Sequence, residues 1–169
     1  MFKDKRDKQS IDLKALIKKS KVKFNSIELN KSKKTTFIQN NGISILDVIL
    51  LNTDCRIKKL YITTFRISKK DINILIALKK EKYIDDYELL VSDSIKSMVV
   101  GSYNYLVSNN IKFKELNTHT KMAFIEKENG ELVNVFSSGN FNPDGKIEAT
   151  SIDYDRNTYI NFTNWIKTL

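Results

Sequence analysis

The chain has 169 residues, 41% of them hydrophobic and 29% charged, with one Pro and five Gly. That is enough for one domain to bury a core without staples, and it excludes collagen-like, low-complexity and wholly disordered chains. The net charge of +9 is concentrated in residues 1–34, where twelve Lys/Arg face four Asp/Glu, so the remainder is nearly neutral. The block Lys14, Lys18, Lys19, Lys21, Lys23, Lys31, Lys33 and Lys34 suits a phosphate backbone or an anionic membrane surface; a solvated helix face and loop is the other reading. Cys55 is the lone thiol, so no intrachain disulfide forms, and no clustered Cys/His set is present to hold a structural zinc. The N-terminus MFKDKRDKQS lacks the apolar stretch of a signal peptide and no apolar run approaches bilayer length. A cytoplasmic protein without a transmembrane segment is expected.

Ile11, Leu13, Leu16 and Ile17 recur at helical spacing, so residues 10–20 read as a short amphipathic helix or arm at the periphery. Residues 24–29 and 35–39 are short β-type stretches separated by a Lys/Ser turn, and Asn40-Asn41-Gly42 punctuates the second. ILDVILLN after Ser44 reads as a short buried helix, and residues 57–67 are β-branched and aromatic enough for a central strand. Ser68, with Asp71 three residues on, is an N-cap for a helix that buries Ile72, Leu75, Ile76 and Leu78. A strand over 87–91, a helix over 94–109 and strand-like runs over 111–116, 119–126 and 131–137 follow, with Glu128-Asn129-Gly130 as a hairpin turn. A last strand over 147–152 precedes a helix whose Tyr159, Phe162, Trp165 and Ile166 form a stripe, read as core packing ahead of a stacking platform for bases. Strands alternating with helices point to an α/β layered domain.

The one histidine lies in His119-Thr-Lys121-Met-Ala-Phe-Ile-Glu126, where alternation puts His119, Lys121, Ala123 and Ile125 on one face of a strand. Eleven residues after Glu126 comes Ser137-Ser138-Gly139-Asn140, at the end of a run that the Asn-Gly turn folds back against the first. The hairpin therefore brings Asn140 toward His119. A nitrogen nucleophile, a fixed cation and a neutral amide donor are what attack on a phosphodiester requires, and such a scheme needs no metal.

On these residues the sequence resembles the phospholipase D superfamily, whose signature is H-x-K, four residues, Asp, then a later G-S-x-N. His119 and Lys121 match it, and Ser138 and Asn140 stand at the Ser and Asn of the second element. Glu126 occupies the place of the Asp, which is taken as a structural position, and Ser137 that of the Gly. Glu148 falls where many members carry a Glu that supports the nucleophilic His. The resemblance is specific over residues 119–148 and topological over 43–118. It implies an α/β, phospholipase D-like layered mixed sheet flanked by helices, with one motif per chain. Residues 1–40 would then be a basic N-terminal arm with the first strand or strands, and 41–169 the phospholipase D-like domain.

Sites in that family use two motifs, so the resemblance also implies a homodimer. His119 would attack phosphorus and its counterpart in the second copy would protonate the leaving oxygen, with Lys121 and Asn140 holding charge, Ser138 in the motif and Glu148 orienting an imidazole. No cofactor and no metal are expected. Short single-motif members resemble bacterial endonucleases, and the basic N-terminus suits a polyanion. The expected activity is therefore a nuclease acting on nucleic acid, DNA ahead of RNA, with Lys14, Lys18, Lys19, Lys33 and Lys34 contacting it. The alternatives are a phospholipid or small phosphodiester hydrolase of the same fold, and a non-catalytic nucleic-acid-binding module.

Overall fold

Seven strands form one mixed sheet in the order β1-β7-β6-β5-β2-β3-β4 in the computed structural model, which describes residues 11–40, 42–139 and 147–169. The strands are β1 (Thr35–Asn40), β2 (Ile57–Thr64), β3 (Ile84–Ser92), β4 (Phe113–Leu116), β5 (Met122–Lys127), β6 (Leu132–Ser137) and β7 (Ile147–Asp153). β2, β3 and β4 run parallel, joined by helical crossovers, whereas β5, β6, β7 and β1 pair antiparallel. These pairings bring the ends of β1, β2, β3, β4 and β6, and the starts of β5 and β7, to one end of the sheet.

The helices are α1 (Leu13–Phe24), α2 (Ile45–Leu51), α3 (Lys69–Lys80), α4 (Ile95–Met98), α5 (Val100–Ser108) and α6 (Arg156–Lys167). Serines start α2 and α3: each closes a capping box with the Asp three residues on, Ser44 with Asp47 and Ser68 with Asp71. α2 is buried nearly all round, as its unbroken apolar sequence requires. α1 lies against it. Asp47 accepts from Ser20 Oγ at 2.9 Å and Lys23 Nζ at 2.6 Å, and Leu13, Ser20 and Phe24 are buried. The segment read from sequence as peripheral is thus packed into the core.

Alternate residues of the central strands serve two cores. Leu60, Ile62, Leu89, Val91, Ala123 and Ile125 join α2 and α3 in the larger one. Tyr61, Leu90 and Phe124 meet Tyr159, Phe162 and Ile166 of α6 on the opposite face. The aromatic stripe of α6 is therefore mostly core, with Trp165 left 43% exposed at its edge.

Three expectations change. Residues 24–29 are not a strand: Phe24 completes the buried stripe of α1, and the chain is irregular after it. The helix expected over 94–109 breaks at Val99, whose φ of −136° and ψ of 50° leave the helical region, giving α4 and α5. The strand expected over 119–126 begins only at Met122, because Thr120 bonds through its N–H and Oγ1 to Thr118 Oγ1 and through Oγ1 to Thr63 Oγ1 in place of a ladder.

Phe124 is 1% exposed and carries α6: Phe162 stacks on it at 3.6 Å, and Phe136 meets it edge-on at 5.6 Å. Phe124→Ala is expected to lower the free energy of unfolding by about 3–5 kcal/mol, measured by urea denaturation.

Candidate active site

His119 lies in the three residues that lead into β5, at the sheet end where β2 and β6 finish. Its imidazole is exposed and stacked on Phe65, the residue after β2, with ring centroids 4.2 Å apart and planes 18° from parallel. Such a stack fixes a ring that solvent would otherwise leave free to rotate. Lys121 donates from Nζ to the His119 carbonyl at 3.0 Å, and the same ammonium lies 5.8 Å from the Phe65 centroid. It makes no ion pair with a described residue. The Arg66 guanidinium is 5.4 Å from the same ring.

The second element of the motif arrives from β6. Ser137 N–H donates to the Lys121 carbonyl at 2.9 Å, joining the start of β5 to the end of β6. Ser138 is fixed twice against β7: its N–H donates to the Ala149 carbonyl at 3.0 Å, and its Oγ accepts from Ala149 N–H at 3.0 Å. Ser137 Oγ is 3.1 Å from Thr150 Oγ1 and accepts from Gly139 N–H at 3.1 Å. Continuing the β6–β7 register, which pairs Ser137 with Thr150, sets Gly139 opposite Glu148. The Glu148 carboxylate fills the space where any other residue at 139 would place its Cβ. Asn140 lies outside the described residues.

The remaining candidates lie elsewhere. Glu126 is at the opposite end of β5, roughly 13 Å along the strand from Met122, where it accepts from Tyr159 Oη at 3.3 Å and faces Lys58 at 3.8 Å. Burial, and then the Glu126 charge beside it, pushes the Tyr159 phenol well above its ordinary range. This contact ties α6 to β5. Lys33 and Lys34 precede β1; Lys31 beside them pairs with Glu131, and Lys34 Nζ lies 5.8 Å from the ring centroid of Phe136, which pairs with Met122. Lys14, Lys18 and Lys19 are exposed on α1 and are not gathered beside His119 by any described contact. Among the described residues no three His, Cys, Asp or Glu side chains cluster so as to hold a metal ion, and no helix is long and apolar enough to cross a membrane.

Sequence reasoning missed Phe65 and Arg66. Their only local signal was position, at the end of an apolar strand just before a helix cap, and the stack with His119 spans the fold.

No family model and no curated protein matches the sequence. Among solved structures, polyphosphate kinase from Porphyromonas gingivalis is similar, with a TM-score of 0.62 and 13% identity over 89% of this chain. The matched region is 28% of the kinase, so this chain spans less than a third of that protein. Yeast tyrosyl-DNA phosphodiesterase gives a TM-score of 0.45 at 13% identity over 71% of this chain and 32% of that one. TrmBL2, an archaeal chromatin protein, gives 0.49 at 10% identity over 92% of this chain and 58% of its own. The fold is the expected α/β one, a mixed sheet flanked by helices, and is similar to that of the matched region of the polyphosphate kinase.

Gly139 tests the notch. Gly139→Ala must push the Glu148 carboxylate aside. The expected outcome is a melting temperature within a few degrees of wild type and an activity lowered about tenfold or more, read by calorimetry beside a phosphodiesterase assay.

Proposed function

We propose that this chain is a metal-independent phosphodiesterase, a nuclease acting through a phosphohistidine on His119 in a homodimer. The observation that carries the reading is convergence: His119 and Lys121 from the approach to β5, Ser138 from the end of β6 and Glu148 from β7 meet at one sheet end. An exposed imidazole held by an aromatic ring, with an ammonium two residues away that makes no ion pair with a described residue, meets the need for an aimed nucleophile and a fixed positive charge.

In the first step an imidazole nitrogen of His119 forms a bond to phosphorus while the bond from phosphorus to the leaving oxygen breaks, and that oxygen takes a proton. The chain has a single histidine, so the proton donor is His119 of a second copy. In the second step that imidazole, now neutral, takes a proton from water, whose oxygen attacks phosphorus and releases His119. Lys121 stabilises the charge that gathers on the non-bridging oxygens, with Asn140 in the same role by the motif. Phe65 holds the plane of the nucleophilic ring, and Glu148 supports an imidazole as it becomes charged.

Purified protein is expected to cut single- or double-stranded DNA, or RNA, in excess EDTA. His119→Ala should lower that cutting by about three orders of magnitude or more and leave the dimer intact by sedimentation. Full activity in the variant would remove His119 from the mechanism; turnover of a phospholipid or of a small phosphodiester alone would move the substrate to that class.

A further inference from the structure

Most of the ion pairs of the strands and their turns lie at the sheet end away from His119; at the near end Lys96 pairs with Glu115 of β4 at 2.7 Å, and Glu148 lies beside Gly139. At the far end Arg56 pairs with Asp85, Lys59 and Lys79 with Asp86, Lys58 with Glu126, and Lys127 with Asp54 and Glu131. The β2–α3 turn beside His119 is different. Arg66, Lys69 and Lys70 are all exposed there, and none makes an ion pair with a described residue. The carboxylate nearest them in sequence, Asp71, is 1% exposed and accepts from Ser68 N–H at 3.1 Å and Ser68 Oγ at 2.7 Å, closing the helix cap.

Two of the three are held by an aromatic ring, a contact that leaves the charge available. Arg66 lies against Phe65, the ring that carries His119, and Lys69 Nζ is 5.9 Å from the Tyr105 centroid. Lys121, which likewise makes no ion pair with a described residue, adds a fourth cation beside His119. One phosphate is served by the groups touching it, whereas a row that runs from His119 through Arg66 into the first turn of α3 suits several phosphates in succession.

We propose that Arg66, Lys69 and Lys70 receive the phosphates of a nucleic-acid strand that flank the one attacked by His119. The inference rests on the reading of His119 as nucleophile, and it gives that site a polyanionic strand as substrate. It also moves the main contact from Lys33 and Lys34, which precede β1, to this turn.

Binding alone tests it. In full-length protein carrying His119→Ala, so that nothing is cut, the affinity for a fluorescent single-stranded DNA of about 20 nucleotides is measured by anisotropy between about 50 and 200 mM salt. Arg66→Gln/Lys69→Gln/Lys70→Gln is expected to weaken binding at least tenfold at low salt and to reduce the salt slope by about 2, near 0.7 per lost contact. Lys80→Gln/Lys82→Gln/Lys112→Gln removes the same charge at the other end of α3 and should change the slope by less than about 0.5. Matching circular dichroism melts exclude misfolding. An unchanged slope in the first triple variant, equal losses in the two, or binding to anionic vesicles but not to DNA each overturns the proposal. A slope that falls as expected in a protein whose wild type cuts nothing would support the strand contact and count against the catalytic reading, so the two fail separately.

Discussion

The hydrogen bond from Ser137 N–H to the Lys121 carbonyl, 2.9 Å long, fixes the start of β5 against the end of β6, and the site is built outward from that closure. The β5–β6 register pairs Met122 with Phe136, and the β6–β7 register pairs Ser137 with Thr150. Side chains alternate across a sheet, so a slip of one residue in either ladder would send Glu148 to the opposite face. Burial prevents the slip. Ala123, Ile125, Val133 and Val135 are fully buried on one face and Phe124 on the other, and exchanging the two sets would expose the apolar ones.

The ladder positions backbone, and side-chain contacts between distant segments finish the site. Thr63 Oγ1 accepts from Met122 N–H at 3.1 Å, fixing the end of β2 to the first residue of β5. Phe65 then lies where its ring meets the imidazole of His119. Hairpin, central strand and the His119 imidazole form one unit, with Arg66, Lys69 and Lys70 on the turn that leaves β2. At the far end Arg56, Lys58, Lys59, Lys79 and Lys127 are paired with carboxylates, whereas Arg66, Lys69 and Lys70 make no ion pair with a described residue.

Much of this was legible locally. The hairpin followed from Asn129-Gly130, where Gly130 takes φ +83°, and from alternation on both sides. The caps at Ser44 and Ser68 followed from an Asp three residues on. The motif residues from 119 to 148 could be aligned because the hairpin was recognised. The interactions that were not legible join distant segments: Thr63 with Thr120, Phe65 with His119, Asp47 with Ser20 and Lys23. The threonines turned an expected strand start into a loop, and the buried stripe of α1 turned an expected strand into helix and coil. Basic residues were visible as composition, but which of them carboxylates neutralise depends on the folded sheet, so Arg66, Lys69 and Lys70 gave way in sequence to the richer N-terminal block.

The decisive measurement is to stop a reaction with labelled nucleic acid by denaturation at alkaline pH, where a phosphorus–nitrogen bond survives, and to locate the label by mass spectrometry of peptides. A nucleotidyl adduct on the peptide containing His119, absent from His119→Ala, is the expected result. Turnover through a protein that never carries the label on His119 would contradict the nucleophilic role on which the function rests.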